Sequence, residues 1–170
     1  MRALGGLILL AVTALLMRST ALTVLAARGI VLDALAFATV VWALRTGESG
    51  GATFGFVLGL AADLDAAHWL GRHALVLALI GYTIGRLSRT LVRDSARTQL
   101  VLVFLATLVH EAWAVAFELG GLVGWRYLAV RVLVAGLWTA PAGVLLLTLV
   151  RQGSGQPLFA DAALGSRQAA

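Results

Sequence analysis

The chain has no cysteine, so neither a disulfide nor a thiolate metal site is open to it. It has no lysine, and all 13 of its basic residues are arginines. Charged residues make up only 12% of the 170, where a soluble domain carries about 25%. So few charges leave no means of covering a water-facing surface. Catalytic fingerprints are missing as well: there is no GxSxG, no P-loop and no dinucleotide-binding glycine pattern after a strand. His110-Glu111 begins a zinc-protease HExxH, but Ala114 stands where the second imidazole must be, which excludes that chemistry. Ser88 and Ser95 lie in a basic segment with no base beside them, so a serine nucleophile is excluded too.

What is abundant is apolar sequence: 61% hydrophobic residues and a mean hydropathy of +0.95. The length suits one domain, and the composition identifies an all-α integral membrane protein. Six apolar runs are expected to form six transmembrane helices, near residues 4–17, 30–44, 51–64, 71–87, 99–119 and 127–150. Asp33 stands in the first turn of the second run, where a carboxylate meets the positive end of the helix dipole. Pro141 falls inside the sixth. The first run also fits a signal peptide, with Arg2 ahead of it and small residues near Ala27. Because the remainder is itself polytopic, the run is read as a first span.

The net charge of +5 would suggest nucleic acid in a soluble protein. Here the arginines sit between apolar runs, where they orient the chain and meet lipid headgroups, and no nucleic-acid partner is expected. Arg86, Arg89, Arg93 and Arg97 crowd the connection between the fourth and fifth runs, which places that loop in the cytoplasm. Both termini then lie in the cytoplasm. Residues 1–151 form the polytopic domain, and residues 152–170, small, polar and broken by Gly and Pro, form a flexible cytoplasmic tail.

The most specific stretch is Gly55 to Gly85. Gly55, Gly59 and Asp63 are four apart and share one helix face, so a neighbouring helix can approach closely with a carboxylate one turn beyond the contact. Gly81 and Gly85 make a second small-residue stripe. Between the stripes lies a polar corner, Asp63 to His73. The order GFxxGxxxDL, short corner, LGxxAL, GY is carried by Gly55, Phe56, Gly59, Asp63, Leu64, Leu70, Gly71, Ala74, Leu75, Gly81 and Tyr82. It resembles the rod shape-determining protein MreD family, as does the upstream VVWALRTGE, Val40 to Glu48. The family often opens its second helix with Pro-Asn or Pro-Asp; this chain reads Leu32-Asp33, keeping the acid and losing the proline.

The resemblance implies a non-enzymatic, multi-pass component of the bacterial cytoplasmic (inner) membrane. It would act without a cofactor in the rod complex, or elongasome. Its implied partner is MreC, and the larger assembly holds MreB, a SEDS glycosyltransferase and a class B penicillin-binding protein. The implied role is support of lateral peptidoglycan synthesis and rod cell shape. It also implies an architecture similar to the S components of energy-coupling-factor transporters. A small-molecule-binding transporter subunit of that type is the alternative, with His68, Trp69, His73 and Trp125 as its binding residues.

Gly55, Phe56, Gly59, Asp63, Gly71, Gly81, Tyr82 and Gly85 are therefore the helix-packing or partner-binding candidates. Asp63 is read as structural, pairing with Arg72 or capping the next helix, rather than as a transport or catalytic acid. His68, His73, Asp63 and Asp65 match no metal-ligand spacing. His110, Glu111 and Glu118 are expected to line a polar seam reaching Arg126 or Arg131. Gly120, Gly121 and Gly124 read as an outer turn. Trp69 and Trp125 read as interfacial anchors, Trp42 as standing near the inner boundary, and the deeper Trp113 and Trp138 as facing a partner.

Overall fold

A computed structural model describes residues 2–20, 25, 30–66, 70–118 and 125–154. Among these residues the chain forms five helices: α1 (Arg2–Ser19), α2 (Ala34–Ala66), α3 (Arg72–Leu87), α4 (Ala96–Glu118) and α5 (Trp125–Ser154). The helix α5 thus continues past residue 151 to Ser154 before the described residues end.

Helix α2 is broken at Gly47, whose φ of 80° and ψ of −164° are open to glycine and strained for other residues. The break reverses the chain. Trp42 and Phe54 are twelve residues apart, which is about 18 Å along a straight helix. Their rings nevertheless stack with centroids 5.2 Å apart. The second and third apolar runs are therefore the two limbs of α2, residues 34–46 and 48–66, folded back on each other. The same stack puts the Trp42 ring in the core.

The second limb of α2 packs against α3 more closely than side chains would allow. A Cβ placed on Gly59 would lie 2.5 Å from the Ala74 backbone, and one on Gly51 2.5 Å from the Gly81 carbonyl oxygen. Gly55 would meet the Leu77 carbonyl, and Gly85 the Gly47 backbone. The partner numbers fall on α3 as they rise on α2, so the helices run antiparallel with backbone on backbone. Hydrophobic attraction between helices is weak in lipid, and close van der Waals contact of this kind takes its place. Phe104 of α4 fills the space beside Gly136 of α5. Phe37 of α2 does the same beside Gly143, which brings α5 onto the bundle.

Around an apolar core, several polar residues are buried as well, and many large apolar ones face outward. Asp33, Thr39, Asp63, His73, Thr107, His110 and Thr139 are buried, while Leu9, Leu64, Leu75, Leu137 and Leu145 are exposed. Thr39 turns its hydroxyl back to the Leu35 carbonyl at 2.9 Å, which satisfies it within its own helix. Among the described residues, Ala96–Phe117 and Ala129–Gly153 are long and apolar enough to cross a bilayer.

The tight seam makes glycine substitution costly in a position-dependent way. Gly55→Ala or Gly59→Ala forces two backbones apart and is expected to cost about 1–3 kcal/mol. Gly5→Ala, with nothing within 4 Å of the added carbon, is expected to be neutral or to gain up to about 1 kcal/mol of helix propensity. Unfolding of the purified variants in detergent separates the cases, and equal stability for Gly5→Ala and Gly59→Ala would contradict the seam.

Candidate functional site: a buried layer of carboxylate and imidazole pairs

A helix N-terminus leaves its first backbone N–H groups without partners, and away from water each one is costly. Asp63, near the end of α2, supplies acceptors for α3. Its Oδ2 accepts the N–H of Gly71 at 2.9 Å and of Ala74 at 3.2 Å. Its Oδ1 accepts the His73 N–H at 3.1 Å and lies 2.7 Å from His73 Nδ1. A carboxylate has no proton to give, so the ring nitrogen donates. Gly71 takes φ 97° at the corner, which turns its N–H onto the carboxylate. Arg72 Nε is 3.4 Å from the same ring nitrogen. That nitrogen's proton goes to Asp63, so Arg72 stands as a neighbouring charge rather than as a donor to it.

A second pair of the same kind stands beside the first. Asp33 caps the first limb of α2, its Oδ1 accepting the Ala36 N–H at 3.0 Å. Its Oδ2 is 2.6 Å from His110 Nδ1 on α4. Its own N–H donates to Thr139 Oγ1 of α5 at 2.9 Å. The His73 and His110 rings are 5.3 Å apart at an angle of 59°. Asp33, Asp63, His73 and His110 are each no more than 5% exposed, so the four form one dry layer. Trp113 Nε1 donates to the Arg72 carbonyl at 3.1 Å, tying α4 to the corner. Trp113 thus turns toward α3, which corrects its reading as a partner-facing residue.

The layer lies well inside the bundle. Thr139 is about 22 Å along α5 from Ser154 and about 21 Å from Trp125, at 1.5 Å per residue. The first limb of α2, about 20 Å long by the same rise, starts at this depth.

The expected site residues divide by position. Gly55, Gly59, Gly81 and Gly85 lie in the α2–α3 seam, and Gly71 binds Asp63. Phe56 and Tyr82 point away from the core, 50% and 40% exposed. Tyr82 Oη accepts a hydrogen bond from Arg86 Nη1 at 3.2 Å. Glu111 reaches Arg131 of α5 at 3.6 Å, as expected, whereas His110 turns instead to Asp33. Glu118 is in α4, and its side chain, like that of Asp65, lies outside the described residues. His68, Trp69, the Trp125 side chain and the turn of Gly120, Gly121 and Gly124 also lie outside them. Sequence reading missed Gly47 and Gly51, which continue the stripe at the same four-residue spacing, and the Asp33–His110–Thr139 cluster.

This layer can hold helices together and keep two carboxylates satisfied away from water. Among the described residues, no group of three or more His, Asp or Glu is placed to hold a metal ion. An all-helical bundle with large apolar side chains exposed and two carboxylate–imidazole pairs buried belongs to the class of integral membrane proteins. Residues 1–150 match the family model of rod shape-determining protein MreD, and the chain belongs to that family. No curated protein and no solved structure matches it.

Asp63 substitutions test the geometry. Asp63→Asn keeps an acceptor oxygen for the N–H groups and loses the charge-assisted part, at an expected cost of about 1–2 kcal/mol. Asp63→Leu leaves the N–H groups of Gly71, His73 and Ala74 without their acceptor, each at about 1–3 kcal/mol, and should greatly reduce folded protein. Equal folded yields and equal unfolding midpoints for the two variants would contradict the capping role.

Proposed function

We propose that this rod shape-determining membrane protein is a non-enzymatic scaffold of the elongasome. It binds MreC in the bacterial cytoplasmic membrane and supports lateral peptidoglycan synthesis alongside MreB, a SEDS glycosyltransferase and a class B penicillin-binding protein. The observation that carries the reading is the family match over residues 1–150, which takes in almost all of the helical bundle. The geometry agrees with a packing role, since the conspicuous residues join helices to one another.

The proposed topology has six spans: α1, the two limbs of α2, α3, α4 and α5. Both termini and the α3–α4 connection are cytoplasmic, and residues 152–170 form a flexible tail. Arginine density at that connection supports the orientation. The short first limb of α2 packs beside longer helices, and the bilayer adapts to it. A reporter fused after Arg93 is expected in the cytoplasm and one inserted near His68 in the periplasm. Labelling at position 68 from the cytoplasmic side alone would refute the six-span arrangement.

Within the proposal, Phe56 and Tyr82 belong to the partner-facing surface and the glycines to the scaffold beneath it. Phe56→Ala with Tyr82→Ala should lower MreC recovery in a membrane pull-down several-fold while protein levels hold. Gly59→Leu should lower both. Undiminished MreC recovery with the Phe56 and Tyr82 variant would move the interface elsewhere, and a pull-down from wild-type membranes without MreC would defeat the scaffold reading.

A further inference from the structure

The connection between α3 and α4, residues 88–95, is closed on itself. Ser88 Oγ donates to the Gly85 carbonyl at 2.7 Å, Arg93 Nε to the Ser88 carbonyl at 2.8 Å, and Gln99 Nε2 to the Arg93 carbonyl at 2.8 Å. Arg93 Nη1 also reaches the Leu44 carbonyl at 3.4 Å, tying the loop to the reversal in α2. Arg93 is thus spent on holding the loop. A loop fixed in this way has no freedom to tuck its apolar residues inward, and Val92 is 73% exposed with Leu91 and Leu87 exposed near it.

Guanidinium groups stand at the same end of the bundle as these apolar tips. Arg45, Arg86, Arg89 and Arg97 are exposed at this end of the bundle. Arg89 meets Glu48 at 2.8 Å, and Arg151 Nη1 reaches the Asp94 carbonyl at 3.4 Å. Glu48 and Asp94 are the acids here against six arginines, so the surface is strongly positive. Tyr82, one turn before Arg86, adds an amphipathic ring at the same edge.

We propose that this loop is an anionic-lipid anchor. Leu91 and Val92 enter the boundary between headgroups and acyl chains, and Arg86, Arg89 and Arg97 engage lipid phosphates. Apolar tips set among arginines match that boundary on both counts, because apolar burial and attraction to anionic lipid add together there. The planar guanidinium suits phosphate recognition. An acidic protein surface would answer the arginines alone and leave Val92 in water. The proposal rests on the membrane reading of the bundle.

Because the chain has no cysteine, Val92→Cys offers a single site for a spin label on the full-length protein. The carrier is a vesicle of phosphatidylcholine with or without phosphatidylglycerol. With phosphatidylglycerol the label should become oxygen-accessible, and its contact with an aqueous nickel chelate should fall several-fold. Replacing Arg86, Arg89 and Arg97 together by Gln should reverse the shift. A label at Leu137→Cys, on the exposed apolar face of α5, reports insertion separately. Water exposure of the Val92 site in both vesicles, with the Leu137 site in lipid, would overturn the anchor while leaving the membrane reading intact. Equal shielding in both vesicles would overturn the role of anionic lipid. Shielding that appears only when a cytosolic protein fraction is added would replace it with a protein contact.

Discussion

The bundle depends on satisfying a carboxylate and a helix N-terminus in the same dry place. Asp63 does this by accepting three backbone N–H groups and one imidazole nitrogen from the start of α3. The reach is available only because Gly51, Gly55 and Gly59 bring the two backbones into contact one turn after another. Seam and cap therefore require each other. Without the close approach the carboxylate misses the N–H groups, and without the carboxylate the N–H groups are orphaned beside the contact.

The second pair extends the same solution to the remaining helices. Asp33 caps the first limb of α2 and takes hold of His110 on α4 and Thr139 on α5. Two carboxylates, each costly to bury alone, are thus spent on joints between helices that lipid gives little reason to associate. A protein whose polar residues are committed to internal joints keeps its exterior for lipid and protein contacts, which fits membership of a rod shape-determining family.

The sequence carried some of this and hid the rest. Composition alone identified an all-helical membrane class, and four-residue spacing was enough to put Gly55, Gly59 and Asp63 on one face. The same spacing runs back through Gly51, the start of the third apolar run, to Gly47, which read as part of a polar connection, Arg45 to Ser49. The polar segment did mark a reversal between the second and third runs, but not that helix continues on both sides of it up to a single glycine, Gly47. Asp33 and His110 are 77 residues apart, and no periodicity within a helix links them. Proximity in sequence instead grouped His110 with Glu111, although neighbouring helical residues point about 100° apart and here serve different partners. Trp42 read only as standing near a span end, and its stack on Phe54 follows from the fold-back of α2.

The central claim is that buried Asp–His pairs join helices distant in sequence, and a double-mutant cycle on Asp33 and His110 tests it most directly. Asp33→Asn, His110→Gln and the combination should be unfolded in the same detergent and compared. A direct buried, charge-assisted bond predicts a coupling of about 1.5–3 kcal/mol, so that the double variant is far less destabilised than the sum of the singles. Additivity within about 0.5 kcal/mol would show that the two residues do not meet in the folded protein and would contradict the account.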